Sequence, residues 1–208
     1  MIPTLLLSLL LSLLSPSSAD DFCVADLSLP TTPAGYSCKK LSTVTADDFV
    51  YSGLRFPGNL TDPLFHFSVN PGSSSQIPGL NGLGISIARI DIAKDGAVPL
   101  HSHPDASEIY IVTRGTVIAG FISSNTVYSK SLFKGDVIVF PQGLLHFQVE
   151  AGHEPALGIS AFSSSNPGLQ FTSRSIFGNS LPSKLVEKVT LLDDGEVRKL
   201  KRVFGGSG

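Results

Sequence analysis

The 208-residue chain has no tryptophan, one methionine and two cysteines, and only 15% of its residues are charged. The low charge, together with 42% hydrophobic residues, excludes a disordered chain and predicts one domain with a buried core. The net charge is -2, and the basic run "RKLKR" at 198–202 is typical of the solvated face of a terminal helix. Nucleic acid is therefore not an expected partner.

The N-terminus "MIPTLLLSLLLSLLSPSSAD" carries an apolar run at 5–14, and no later segment holds 18 apolar residues in a row. A run of this length is too short to span a bilayer, but it has the length of the apolar part of a signal peptide. The small residues Ser17 and Ala19 suit a cleavage position, although no Lys or Arg opens the segment. We therefore predict a signal peptide at 1–19, secretion to the extracellular space and no membrane span.

The two cysteines, Cys23 and Cys38, flank the Pro- and Gly-bearing segment "VADLSLPTTPAGYS". An even number of cysteines in an oxidising compartment predicts a disulfide rather than two free thiols. Closing a loop of this length stabilises a fold by about 3 kcal/mol. A sequon, Asn59-Leu60-Thr61, lies in a turn-rich stretch and predicts a glycan on Asn59.

Short strands dominate the middle of the chain. Apolar residues alternate in "GISIARIDIA", "DVIVFP", "HFQVEAG" and "ALGISAFSS", and "EIYIVTRGTVIAGFI" predicts two strands that meet near Arg114-Gly115. This spacing predicts an all-β sandwich or barrel. "SLPSKLVEKVT" and "DDGEVRKLKRVF" have helical spacing, with Ser183 and Asp193 or Asp194 as candidate N-caps. We expect a disulfide-closed segment at 20–57, a barrel at about 58–179 and C-terminal helices at about 180–204.

Three histidines and one acid are candidates for a metal site. His101 and His103 are two residues apart, so on a strand their side chains reach the same side. Pro104 and the residues after it break the strand, which allows Glu108 to face inward on the next one. His146, after "KGDVIVFPQGLL", supplies a fourth ligand. A set of imidazoles and a carboxylate without sulfur suits Mn, Fe, Ni or Zn and favours redox-active Mn or Fe. The alternative is a pair of surface histidines near a proline.

The spacing of these residues resembles the two motifs of the cupin superfamily. "HSHPDASEIYIVTRG" matches the first motif, G-x5-H-x-H-x(3,4)-E-x6-G, except that Asp95 stands at its leading glycine and Gly96 follows. The second motif, G-x5-P-x-G-x2-H-x3-N, is matched from Gly135 to His146, and Glu150 replaces its final asparagine. The paired-cysteine opening, the loop "PGLNGLG" and the helical tail resemble the germin-like proteins of plants. Within them the chain is similar to the branch described as auxin-binding proteins.

The resemblance implies a cupin jelly-roll β-barrel with a short C-terminal α-helical extension. It implies Mn(2+) bound by His101, His103, Glu108 and His146, together with the disulfide Cys23–Cys38. It further implies an apoplastic or cell-wall location and a homohexamer built as a trimer of dimers. The implied activity is that of a superoxide dismutase that produces H2O2, with a role in defence or development.

Two other functions are alternatives. Oxalate oxidase, the activity of the germins, needs groups that orient the oxalate dianion, and the germin pattern aligned on "PGLNGLGISIARID" places one asparagine at Asn81 and the other at Ala88. Alanine donates no hydrogen bond, and the loss of one donor to a charged substrate costs about 1.5–3 kcal/mol, which disfavours this activity. The other alternative is a non-enzymatic protein, auxin-binding, receptor-like or storage-type. His66 and His153 lie outside both motifs and are predicted to be ordinary loop residues.

Overall fold

The computed structural model describes residues 21–58 and 62–208. The predicted signal peptide at 1–19 and the predicted glycosylation site Asn59 lie outside these residues. Within the described residues, a disulfide-closed N-terminal segment precedes ten strands and three α-helices. No helix in this part of the chain is both long enough and apolar enough to cross a membrane.

The strands are β1 Phe67–Gly72, β2 Ser86–Ile92, β3 Ala97–Ser102, β4 Glu108–Arg114, β5 Val117–Ser123, β6 Thr126–Leu132, β7 Val137–Phe140, β8 Leu145–Glu150, β9 Ala156–Phe162 and β10 Gln170–Phe171. The helices are α1 Thr172–Phe177, α2 Ser183–Thr190 and α3 Asp194–Phe204. Short 3-10 helices occur at Leu41–Thr43, Ala46–Phe49, Gly53–Arg55 and Pro78–Leu80.

The strands form two five-stranded antiparallel sheets. One has the order β1-β2-β9-β4-β7, and the other has the order β10-β3-β8-β5-β6. Buried apolar residues from both sheets pack into one core, among them Ile90 and Val112 from the first sheet and Val98 and Val117 from the second. This is the predicted all-β jelly-roll barrel of the cupin fold, and the helices form its C-terminal extension.

The alternation in β2 is regular along the whole strand. Ala88, Ile90 and Ile92 are buried, while Ile85 just before the strand is exposed and Ile87 is half-buried. Ile85 and Ile87 therefore lie on one face of the strand and Ile90 and Ile92 on the other, and the inward face begins at Ser86. Burying a side chain the size of Ile contributes roughly 1.5–3 kcal/mol, so this face strongly favours the observed register.

The interior also accommodates the large ring of Tyr110 of β4, which is fully buried. Its ring lies over Gly158 of the neighbouring strand β9, where an added Cβ atom would come within 2.2 Å of the ring carbons. Glycine at position 158 is therefore required for the packing of this ring.

The turn between β2 and β3 contains the first departure from the cupin motifs. Asp95 adopts a φ of 60°, a left-handed conformation that Asp tolerates better than most residues. Its N–H donates to Oε2 of Glu150 at 2.9 Å, and the N–H of Gly152 donates to the other oxygen of the same carboxylate. Gly96 follows, where a Cβ atom would lie 2.6 Å from the carbonyl oxygen of His66. The two departures, Asp95 and Glu150, are thus in direct contact.

The C-terminal helices share a small core of their own. Phe177, Val186 and Val197 are buried together, and the Phe204 ring of α3 stacks on Phe65 of the barrel segment at 6.4 Å between centroids. Asp193, one of the two candidates, is the N-cap of α3, and its side chain accepts from the N–H of Glu196 at 2.8 Å. The prediction of Ser183 as an N-cap is wrong, because Pro182 holds that position and Ser183 is the first residue of α2.

The basic run at 198–202 lies on α3, but one of its members is not solvated. Lys201 is 3% exposed, and its Nζ donates to the backbone carbonyls of Asn179, Leu181 and Ser207. The expectation of a solvated face is therefore wrong for this lysine, because three carbonyl oxygens replace its water shell. Arg198, Lys199 and Arg202 are exposed.

Candidate metal centre

The four predicted residues come together from both sheets. His101, near the end of β3, lies opposite His146 of β8 in the strand register, and His103 follows the end of β3. Glu108 is the first residue of β4 in the other sheet. One nitrogen or oxygen atom from each side chain lies within 4.8 Å of those of the other three. All four side chains are buried, so the cluster is part of the barrel interior.

An irregularity in β3 turns His101 inward. The pairing of β3 with β8 shifts register between Val98 and His101. The two residues are an odd number of positions apart and would face opposite sides of a regular strand, yet both are buried. Pro99, a residue that sheets accept at bulges, lies in the irregular stretch. The strand then ends before Glu108, as predicted, and Glu108 faces inward on β4.

Backbone carbonyls set the protonated nitrogen of each imidazole. The Nδ1 atoms of His101 and His146 are each 2.8 Å from a carbonyl oxygen, and Nδ1 of His103 also contacts one. His101 contacts the carbonyl of Pro99, His103 that of Gly168, and His146 that of Leu144. A carbonyl oxygen only accepts, so each Nδ1 carries the proton and the lone pair of the neutral ring lies on Nε2.

Glu108 is the anionic member of the cluster. Its Oε2 lies 3.1 Å from Nε2 of His146 and 3.2 Å from Nε2 of His103, and its Oε1 accepts from the hydroxyl of Ser160 at 2.6 Å. Burial alone would raise the pKa of Glu108. A proton on Nε2 of His103 or His146 that donates to this carboxylate, together with the Ser160 hydroxyl, outweighs burial and lowers the pKa to about 2. The carboxylate is therefore ionised at neutral pH.

The surroundings of His101 strongly shift the pKa of its ring. Burial lowers the pKa of His101 to about 3, and the neighbouring His146 acts in the same direction. The ring is therefore neutral at neutral pH. A neutral imidazole and an ionised carboxylate are the protonation states that bind metal ions.

This donor set fits a divalent cation. Because the Nδ1 protons are bound to carbonyls, the Nε2 lone pairs of His103 and His146 face an anionic oxygen at 3.1–3.2 Å, an unfavourable arrangement unless a proton or a cation lies between them. A metal ion bound by His101, His103, Glu108 and His146 would satisfy all four atoms. Nitrogen and oxygen donors without sulfur suit Mn, Fe, Ni or Zn.

A cavity of about 220 Å³ lies beside His103. Its lining is mostly apolar and includes Val69, Ala88 and Phe162, whose ring packs edge-on against His103 at 4.8 Å between centroids. Ala88 is 3% exposed and presents a methyl group that donates no hydrogen bond. A small molecule in this cavity therefore meets mainly carbon atoms.

The structure places Asn81 against the disulfide loop. Its Oδ1 accepts from the N–H of Tyr36 at 3.1 Å, and its Nδ2 donates to the Tyr36 carbonyl at 2.9 Å and contacts Sγ of Cys23 at 3.1 Å. Cys23 is bonded to Cys38, as predicted. Asn81 is absent from the lining of the cavity beside His103, so its part in a substrate pocket stays a prediction that these contacts do not support.

Sequence reasoning missed two residues of this region. Asn166 is among the residues that line the cavity beside His103. Ser160 contacts Glu108 across 52 positions of sequence. Neither residue belongs to a sequence motif. Ser160 reaches the site because β9 pairs with β4, and Asn166 reaches it from the loop after β9. His66 and His153, predicted to be loop residues, are both exposed and lie outside the cluster.

Comparison with known proteins identifies the family. The model of the Cupin family matches residues 53–198. Over its whole length the chain is 57% identical to germin-like protein 8-14 of Oryza sativa subsp. japonica, covering 97% of that protein. The chain belongs to the germin-like family of cupins. This germin-like chain is also 54% identical to auxin-binding protein ABP19b of Prunus persica, over 93% of the chain and 92% of that protein, which places it in the auxin-binding-protein-like branch.

Solved structures agree with this assignment. The germin-like chain superposes on a structure of oxalate oxidase with a TM-score of 0.83 at 36% identity, over 88% of this chain and 94% of the other. The shared fold and the cluster of three histidines and one glutamate are thus features of a cupin metal-binding site.

Proposed function

We propose that this chain is a secreted manganese protein of the plant apoplast or cell wall that dismutates superoxide. The observation that carries the proposal is the buried set of three imidazole nitrogens and one ionised carboxylate, with ligand atoms within 4.8 Å of one another. The absence of sulfur from this set favours Mn over metals that prefer thiolates.

Dismutation turns two superoxide radicals and two protons into O2 and H2O2. Mn(2+) held at the cluster would supply the one-electron exchange between its 2+ and 3+ states that this reaction needs. The chain would bind this ion through Nε2 of His101, His103 and His146 and through the carboxylate of Glu108. The negative charge of the carboxylate favours the higher oxidation state of the ion. The ring of Phe140 stacks on His146 at 4.4 Å between centroids and helps to exclude bulk water.

Oxalate oxidation is the less favoured enzymatic alternative. An oxalate dianion must be oriented beside the metal, and the cavity wall at His103 offers the methyl group of Ala88 where a donor is needed. Superoxide is a small diffusible radical and needs little orientation. The methyl group of Ala88 in the cavity wall therefore favours dismutation over oxalate oxidation.

Binding without turnover is the second candidate function. The apolar cavity of about 220 Å³ beside His103 suits an aromatic ring whose carboxylate reaches the metal, as in auxin. The similarity to proteins named auxin-binding supports this alternative. A receptor-like or storage role would require no catalytic reaction at the metal.

The proposal extends to domain organisation, assembly and location. We retain one cupin domain over residues 20–208 and a homohexamer built as a trimer of dimers. The exposed apolar side chains of Leu185, Val189 and Leu191 support contacts between subunits. The disulfide Cys23–Cys38 supports an oxidising compartment and thus secretion. H2O2 released there would serve defence or development.

The first test of the proposal is a dismutase assay on metal-defined protein. We expect superoxide decay, followed by stopped flow, to accelerate in proportion to bound Mn and to return to the uncatalysed rate in metal-free protein. The filtrate of the same sample serves as the control for free Mn. Fully Mn-loaded protein that bound auxin at equilibrium but left superoxide decay unchanged would favour the binding function instead.

Ala88→Asn is expected to give the protein some oxalate oxidase activity while leaving dismutation nearly unchanged. A restored hydrogen bond to a charged substrate corresponds to a gain on the order of 10–100-fold in kcat/KM. H2O2 release from oxalate measures this gain, and Ala88→Leu is the matched control because it adds similar volume without a donor. Robust oxalate turnover by the Mn-loaded wild type would contradict the role assigned to Ala88.

A further inference from the structure

The two carboxylate oxygens of Glu108 have different neighbours. Oε2 lies 3.1 and 3.2 Å from the Nε2 atoms of His146 and His103, so it is the oxygen that points to the cluster. Oε1 accepts a hydrogen bond of 2.6 Å from the hydroxyl of Ser160. A distance of this length is typical of a hydroxyl that donates to an ionised oxygen.

Ser160 is well placed to hold that oxygen. It lies on β9, between β2 and β4, with Ala88 and Tyr110 as its register partners, and it is fully buried. Within the described residues, Glu108 is the hydrogen-bond partner of its hydroxyl. Since Ala88 has no polar side-chain atom and Ser160 is fully buried, the bond to Glu108 restricts the rotation of the carboxylate.

We propose that Ser160 is a positioning residue that keeps Glu108 a one-oxygen ligand of the metal. The inference rests on the proposed function, because it takes the metal to lie at the cluster. Carboxylates bind metal ions through one oxygen or through both. The hydroxyl of Ser160 occupies Oε1 and leaves Oε2 to coordinate, so the carboxylate takes one coordination position rather than two.

The number of open positions depends on this arrangement. An octahedral ion with four single-atom protein ligands keeps about two positions for water or substrate, whereas a two-oxygen carboxylate leaves about one. Ser160 thereby determines how many small molecules bind at the metal together. It does so through Glu108, without touching substrate.

The test counts the water molecules on bound Mn(2+). Mn-loaded wild type, Ser160→Ala and Ser160→Thr are compared by 17O relaxation, with the count expressed per bound Mn so that partial loading does not affect it. Ser86→Ala is the matched control, since Ser86 is also a buried serine but donates to the backbone carbonyl of Ser164 at 2.6 Å. We expect about two waters in the wild type, Ser160→Thr and Ser86→Ala, and about one in Ser160→Ala, which halves the relaxation effect.

The outcomes separate this inference from the proposed function. An unchanged water count in Ser160→Ala, or a wild type with about one water, would overturn the positioning role even if dismutase activity were present. Failure of the wild type to bind Mn would overturn the proposed function and the inference together. A lower water count in Ser86→Ala equal to that of Ser160→Ala would also overturn it, because the effect would then come from any buried hydroxyl.

Discussion

Replacing His146 by alanine is expected to lower the metal content of the protein to well below one ion per subunit. His146 supplies one of four ligand atoms from the centre of the barrel, and its Nε2 lies 3.1 Å from Glu108. Loss of a partner that merely orients a ligand weakens metal binding roughly 10–100-fold, and loss of a ligand itself exceeds that. Elemental analysis after dialysis of the purified protein against a weak chelator measures the effect.

His66→Ala is the control for this experiment. His66 is exposed and lies outside the cluster, so its removal leaves all four donor atoms in place. Full metal content in both variants would show that the metal binds elsewhere. Dismutase activity should follow the metal content of each variant, which links the measurement to the proposed chemistry.

Deleting residues 180–208 is expected to dissociate or aggregate the protein. The deletion removes α2 and α3 and leaves Phe65 and Phe177 without the Phe204 ring that now packs between them. It also removes the exposed apolar residues that we assign to contacts between subunits. Size-exclusion chromatography with light scattering measures the result, and a truncated chain that remained hexameric would refute the assignment.

A double substitution separates loss of contacts from unfolding. Leu185 and Val189 of α2 are 49% and 73% exposed, so Leu185→Lys with Val189→Lys leaves the buried pair Val186 and Val197 intact. We expect smaller, folded particles. Lys188→Ala, an exposed change on the same helix, should keep the assembly of the wild type.

The strands with an inward apolar face could be predicted from the sequence, because alternation is a local property. β4 and β5 meet at the predicted Arg114-Gly115 turn, and β8 carries His146 inward as expected. β1 and β6 were missed for physical reasons. β1 is an edge strand in which the alternation of Phe67 and Val69 with polar residues is cut short by Pro71. β6 is an edge strand whose residues are almost all exposed, so it shows no apolar period. The short helix α1 was also not predicted, because no side-chain N-cap marks its start in the sequence.

The metal cluster could be predicted because its residues follow motifs, whereas its supporting residues could not. Ser160 meets Glu108 only because β9 pairs with β4, and Asn81 meets Tyr36 across 45 positions. Contacts between residues so far apart in the chain cannot be predicted from local sequence patterns. Lys201 was misjudged for the same reason, since its carbonyl partners come from a loop about one helix away in the chain.

Asp95 and Glu150 are the two mismatches to the cupin motifs, and a single hydrogen bond of 2.9 Å joins them. The donor is the backbone N–H of position 95, which a glycine there would also provide, so the contact depends on the side chain of Glu150 and not on that of Asp95. The Glu150 carboxylate offers two oxygens to the N–H groups of Asp95 and Gly152, whereas the asparagine of the motif would offer one. Consensus redesign at position 150 would therefore loosen the turn it was meant to improve.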